Sequence, residues 1–520
     1  MDRDVRVCPR TGRPLRAGLD SRKRWFLAFS GLASLIWFLV RVVPKPSRAS
    51  YPCQRAAAPL AAGFVTWMAG LLVPAALFRG ARALSRAGWW KVGGAVAAAA
   101  TLAAIAWFGL QSGPTLRASD GNDVPYKLFD GPLAPVGVPR GIAPGRVVWA
   151  HDPKAVSWEQ KGSWWEDAYN DQAAIDRMLS RSVRAVANQN TEPKAWEALF
   201  RYFNRIHGRG TAGYKAGEKV AIKANLNNAT GHGANNRLNT SPHLLLALVK
   251  QLAGPAGVKP GDITIFDASR FIPSYIYDKI HSQFPDVVFV DHIGGDGRVK
   301  AAFKANAIPF SVAGHNASGI ATAATDATYL IDAALLKGHV SQGVTLSAKN
   351  LFGATSIDPD WHNNAHDGFT PRRDGTPGYS AFVDFLGHKD LGEKTVLFVI
   401  DGLYANDLVD DPPHRKWKMA PFNDAWPASI FMSQDGVAID SVGLDFLRSE
   451  WPDLVDLSYA DDYMVEAAQA NHAPSGAVYD PEKDGTPCRS LGVHEHWNNA
   501  TDKKYTHNLK DASGIELFAL

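Results

Sequence analysis

Five short apolar runs, each closing on polar residues, constrain this chain more than any other feature. They are "KVAIKANL" (219–226), "DITIFDAS" (262–269), "DVVFVDH" (286–292), "TYLIDAALL" (328–336) and "KTVLFVIDGL" (394–403). Runs of this length, apolar on both faces, suit strands buried on both sides, and both-side burial goes with parallel pairing and covering helices. Helical patterns separate several of them. The clearest is "SPHLLLALVKQLAG" (241–254), where Ser241 can cap a helix and Pro242 suits its first turn. The expected fold is therefore α/β, a largely parallel sheet flanked by helices.

In such sheets ligands bind beyond the carboxyl ends of the strands. Lys223, Asn225, Asp267, Lys337, His339 and Asp401 all fall at or just past such ends. One stretch is unusual for a connection, "LLKGHVSQGVTLSAKNLFG" (335–353). It presents Lys337, His339, Lys349 and Asn350 among small residues. Lysines gathered at strand ends in an otherwise acidic region suggest an anionic ligand or a covalently held cofactor. A desolvated lysine can serve as base or nucleophile. Lys337, His339 and Lys349 are the catalytic candidates, and Lys223, Asn225, Asp267, Asn350 and Asp401 the ligand-binding ones. The bland alternative is two lysines holding an anionic group beside a structural histidine.

Taken in order, "VAIKANL…NTSPHLLLALVKQL", "ITIFDAS", "LLKGHVSQGVTLSAKNLFG", "LFVIDGL" and "SQDGVAIDSVGLDFL" resemble the family catalogued as domain of unknown function 362, over about residues 215–450. The last segment adds Asp435 to the ligand-binding candidates, while Asp440 enters or caps a helix. The resemblance implies an α/β domain and, in some members, ferredoxin-type cysteine motifs. This chain lacks those motifs, and three scattered cysteines cannot hold an iron–sulfur cluster by themselves. The order His339, Lys349, His366 is also similar to the cofactor loop of lactate racemase. In that family a lysine carries a nickel-pincer cofactor and histidines bind the metal or move protons.

Two histidine pairs are candidates for a divalent metal. His362 and His366, in "DPDWHNNAHDG" (358–368), share one face if helical. His494 and His496, in "LGVHEHWNN" (491–499), point the same way if extended. A pair is too few for a stable site without a further ligand. The alternatives are a polar surface loop and a packed C-terminal cap. "DPEKDG" (480–485) opens like a calcium loop, but its twelfth position is Leu491, where a glutamate is needed. "GHGANN" (231–236) is not a dinucleotide fingerprint, and no Walker, kinase or G-x-S-x-G signature occurs.

The net charge of +4 conceals an asymmetry. Residues 1–110 carry 16 Lys+Arg against 3 Asp, leaving 39 against 48 acidic residues in the rest. The basic residues flank three apolar segments, about 25–43 (uncharged to Val40, with Arg41 snorkelling), 56–78 and 92–110, a pattern of membrane topology rather than of nucleic-acid binding. Segments this apolar predict three transmembrane helices in the lipid bilayer. The positive-inside rule then leaves the basic residues 1–24 cytoplasmic. The expected localisation is the inner (plasma) membrane, multi-pass, with the large C-terminal domain periplasmic or extracellular. Residues 111–145 read as a linker, 146–450 as the α/β domain and 451–520 as an extension packed on it. On the oxidising side Cys53 and Cys488 could pair, or remain unrelated thiols. The functional expectation is a membrane-anchored, metal- or cofactor-assisted enzyme acting on an anionic small molecule. The alternatives are a binding or sensing module and an envelope scaffold. Protein partners are not indicated.

Overall fold

A computed structural model describes residues 134–313, 317–339, 343–356, 378–407, 412–452, 460–511 and 513–520. All of these belong to one compact unit. The strands are β1 (Val136–Gly137), β2 (Arg146–His151), β3 (Val220–Ala224), β4 (Ile263–Asp267), β5 (Val288–Asp291), β6 (Val299–Lys300), β7 (Phe303–Ile308), β8 (Ser318–Ala321), β9 (Tyr329–His339), β10 (Gly343–Thr345), β11 (Thr395–Asn406), β12 (Ser429–Ser433), β13 (Val493–His494) and β14 (Glu516–Ala519). The helices that matter here are α1 (Gln172–Val186), α2 (Glu192–Ile206), α3 (Pro242–Ala253), α4 (Ser274–His281), α5 (Ser347–Leu351), α6 (Ala381–Gly387), α7 (Gly436–Glu450) and α8 (Asp462–Ala468).

The central sheet runs in the order β14-β2-β12-β11-β9-β3-β4-β5-β6, with β10 folded back onto β9. From β11 to β6 every neighbouring pair is parallel, whereas β12 is antiparallel to both β11 and β2. The expected α/β fold with a largely parallel sheet is what the chain adopts. All five apolar runs became strands of it. The predicted helix over 241–254 is α3, with Ser241 Oγ accepting from the His243 amide at 3.1 Å and Pro242 at its first position.

Alternation within the strands divides the core. Ala221, Leu330 and Ala334 face one side, against Phe382, Phe385, Val437 and Val442 of α6 and α7. Ile222, Ile331 and Val399 face the other, against Leu179, Leu199 and Leu245 of α1 to α3. Both faces being covered explains why the runs are almost continuously apolar.

β3, β4, β5 and β6 step outward in one direction, and the chain then returns to place β9 on the other side of β3, with β11 beyond it. The β3/β9 boundary is thus the topological switch point, where the connections diverge and leave a crevice at the carboxyl ends. Two details differ from the sequence reading. The strand expected to end at Leu336 continues through His339, because β10 turns back and pairs with it, Thr345 opposite Lys337 and Gly343 opposite His339. The C-terminal segment is more than an external extension, since β14 joins the main sheet in parallel with β2.

The localisation is corrected. Among the described residues no helix is long and apolar enough to cross a membrane, and the expectation of a multi-pass inner-membrane protein with an exported domain does not stand. The segments 25–43, 56–78 and 92–110, and Cys53, lie outside the described residues. Cys488 is a free, half-buried thiol whose pKa burial pushes up to about 12.

Candidate functional site: a cationic cleft at the strand switch point

Lys223, the fourth residue of β3, sits in register with Asp332 of β9, and both side chains are fully enclosed. An ammonium removed from water needs a full set of partners, since desolvating it costs several kcal/mol. Lys223 Nζ has three, donating to Ala224 O at 2.7 Å, Asp267 Oδ2 at 3.2 Å and Asn350 Oδ1 at 3.2 Å. Asp267, at the end of β4, is further satisfied by the Leu226 amide (3.1 Å) and by the Ser269 amide (3.0 Å) and hydroxyl (2.8 Å). Asn350 reaches back from α5, its Nδ2 donating to Asp332 Oδ1 at 2.6 Å and to Lys223 O at 3.1 Å. Asp332 has its carboxyl raised well above the ordinary range, chiefly by burial. One network therefore ties β3, β4, β9 and α5 together.

This network forms the floor of a small cavity of about 30 Å³, with Lys223, Asn225, Asp267, Thr345, Lys349 and Asn350 among its lining residues. Gly353 closes one side. A Cβ there would lie 2.6 Å from Lys223 Nζ and 3.0 Å from Asp267 Oδ1, so the backbone approaches the ion pair as only glycine allows.

Lys349 also lines this cavity. It is buried, and its pKa falls to about 7, first through desolvation and then through the charges of Lys337 and Arg270. Arg270, in the loop after β4, is held by Asn227 O (3.0 Å), Asn227 Oδ1 (2.9 Å) and Ser269 O (3.0 Å). Two cationic side chains, Lys337 and Arg270, thus lie within electrostatic reach of Lys349 near the carboxyl ends of the strands. The position of Lys349 depends on Asp440 of α7, whose carboxylate accepts from the Ser347 and Ala348 amides at 2.8 and 3.0 Å and from Tyr463 Oη at 2.8 Å. Asp440 holds the start of the helix that carries Lys349 and Asn350.

Of the sequence candidates, Lys223, Asn225, Asp267, Lys349 and Asn350 come together at this cavity. Lys337 is fully buried within electrostatic reach of Lys349. His339 is buried at the end of β9, opposite Gly343. Asp401 does not join them. Its carboxylate accepts from the Ser241 and Leu403 amides at 2.7 and 3.0 Å, fastening α3 to the other face of the sheet. Asp435 is the N-cap of α7, accepting from the Val437 and Ala438 amides and also from those of Arg140 and Val493. Both are structural by these contacts. His362 and His366 lie outside the described residues. His494 and His496 come together, but with Asp461 rather than at this cavity. The sequence reading passed over Asp332, Arg270 and Asp461. Of these only Asp332 had a visible signal, an acid in the middle of an apolar strand.

The sheet and this cleft define an α/β protein with a cationic pocket at its switch point. Residues 220–445 match the model of the family described as domain of unknown function (DUF362). That span runs from the start of β3 into α7 and contains every residue of the cleft. No curated protein matches the chain. The comparisons give no support to the likeness with lactate racemase.

Proposed function

We propose that the cleft binds a small anionic substrate and that the protein is an enzyme in which Lys349 acts as base or nucleophile. The observation that carries this reading is the place of Lys349 in the lining of the switch-point cavity, close enough to Lys337 and Arg270 for burial and their charges to bring its pKa down to about 7. An amine that is partly unprotonated at physiological pH can take a proton or attack an electrophile, which an ordinary lysine does poorly. Lys337 and Arg270 supply the positive field that draws an anion to it. Lys223, Asp267 and Asn350 form the rigid floor against which the anion rests. Nothing in this chemistry depends on a location at a membrane.

The test is a screen of small carboxylates and phosphates by thermal shift on the full chain, with Lys349→Arg and Lys349→Met beside the wild type. Anions that bind are expected to raise the melting temperature of the wild type and of Lys349→Arg, and to do so far less for Lys349→Met. For the anion that stabilises most, conversion should be lost in Lys349→Arg, which keeps the charge but not the free base. Conversion unaffected in Lys349→Arg would remove Lys349 from the chemistry. Binding without conversion in the wild type would make the cleft a binding site alone.

A further inference from the structure

We infer that His494, His496 and Asp461 form a binding site for one divalent transition-metal ion, separate from the lysine cleft. Their candidate ligand atoms all lie within 4.8 Å of one another. The two histidines come from β13 and the residues just after it, with ring centroids 4.9 Å apart and planes at 87°. Asp461 immediately precedes α8.

What distinguishes this cluster from an ordinary buried ion network is the state of His494. His494 is fully buried, and its Nδ1 lies 2.8 Å from Ser441 Oγ. Ser441 spends its one hydroxyl proton on Val437 O, also at 2.8 Å, so its oxygen is left to accept from His494 Nδ1–H. That tautomer leaves a lone pair on Nε2. This atom is buried and has no hydrogen-bond partner among the described residues. An unmatched buried acceptor is destabilising, and native structures retain one only with a reason.

His496 is tied in the same way at Nδ1, but its Nε2 already faces a partner that a metal ion would have to share. Its Nδ1 lies 2.7 Å from Asp445 Oδ1, and its Nε2 turns towards Asp461 Oδ2 at 3.4 Å. In both rings Nδ1 is thus tied to an oxygen, which fixes the ring and directs Nε2 to the same point. A carboxylate or hydroxyl on the far nitrogen is the usual support of a metal-bound histidine. Asp461 is oriented in turn by Arg448, whose Nη2 lies 3.1 Å from Oδ1, leaving Oδ2 on the side of the imidazoles. Two imidazole nitrogens and one carboxylate suit zinc and its neighbours and leave a further coordination position for water or a ligand.

Arg448 is also the competitor. Its Nη1 lies 3.5 Å from His496 Nε2, so a guanidinium borders the place the ion would take. Asp445 and Asp461 are the two carboxylates able to balance the added charge. Access is open from one side, since the side chains of Asp461 and His496 are 13 % and 12 % exposed.

The experiment uses the full chain, stripped with chelator and titrated with Co²⁺ and Zn²⁺. The wild type is expected to bind one equivalent at this site, with visible Co²⁺ bands of low coordination number that Zn²⁺ bleaches, and to melt higher with Zn²⁺. Asp445→Asn, which keeps all three ligands, changes the oxygen that supports His496 and keeps an acceptor for the Trp497 amide or the Tyr505 hydroxyl, should weaken binding roughly 10- to 100-fold. Asp461→Asn, at the rim of the cluster, should lose both the bands and the Zn²⁺-induced rise in melting temperature. His494→Ala should do the same, and Asp461→Asn decides the matter if that variant fails to fold. No uptake by the wild type overturns the inference, as does uptake that persists unchanged in Asp461→Asn and Asp445→Asn. The cluster would then be an ion network of Arg448, Asp445, Asp461 and His496 with no metal.

Discussion

Lys223→Met is the most informative single perturbation of the cleft floor. Methionine has nearly the length of lysine and fills the same channel, so little is lost in packing. The change removes the charge and three donated hydrogen bonds, to Ala224 O, Asp267 Oδ2 and Asn350 Oδ1. Asp267 is left 2 % exposed without its counter-ion. Breaking a buried pair in this way costs about 3–5 kcal/mol. The lower end applies here, because the Leu226 amide and both donors of Ser269 continue to solvate the carboxylate. The expected loss is therefore about 3 kcal/mol, read as a lower urea midpoint of the full chain followed by tryptophan fluorescence. Combining it with Asp267→Asn, which removes the stranded charge, should recover part of that loss. The double variant is expected to be about 2 kcal/mol more stable than the sum of the single losses, within the range for residues in direct contact. A loss below about 1 kcal/mol for Lys223→Met, the range of substitutions that touch nothing special, would refute the reasoning. So would strict additivity.

Two further predictions follow from the same contacts. Asp440→Ala strands the Ser347 and Ala348 amides and the Tyr463 hydroxyl, at about 1–3 kcal/mol each where burial is kept. It should both lower the melting temperature markedly and speed amide hydrogen exchange across 347–351; unchanged exchange there would show that Asp440 does not anchor the helix. Asp401 is pushed by burial up to about 7, against about 3.9 in an unfolded chain. The folded chain holds a proton there that the unfolded chain releases, so this contribution is full below about pH 4 and is lost as the pH rises through 7. Asp401→Asn should flatten the fall in stability between those values, and an unaltered slope would argue against a raised pKa.

Much of the architecture could be read from the sequence because buried parallel strands leave an unmistakable mark. An apolar run such as "LFVI" cannot be satisfied on a surface, and the polar residues that end it fall at one edge of the sheet. That edge rule located Lys223, Asn225 and Asp267, while Lys349 and Asn350 stood out by the unusual make-up of 335–353; the rule could not tell which face a strand residue takes. Asp401 was expected at a strand end, yet β11 continues to Asn406, and the carboxylate points to the α3 side and fastens a helix. Asp435 follows a strand and caps a helix, a use that shows only when the four amides around it are in place. Pairing over long separations was equally hidden. Nothing local to "VHEHW" indicates that Asp461 lies beside it, because the contact depends on the path of α8. The membrane expectation rested on hydropathy and charge alone, outside the described residues, and the described helices do not bear it out.

The central claim is that Lys349 is a near-neutral amine in a cationic cleft. It is tested most directly by competitive acylation of the native full chain across pH 5–11, with mass spectrometry reading the peptide that carries Lys349. Its reactivity should rise with a midpoint at about 7, well below that of the exposed lysines, because burial and the charges of Lys337 and Arg270 disfavour its ammonium form. Lys337→Met should move that midpoint upward by removing one of those charges. A midpoint at the ordinary value of about 10.4, unmoved by Lys337→Met, would contradict the account.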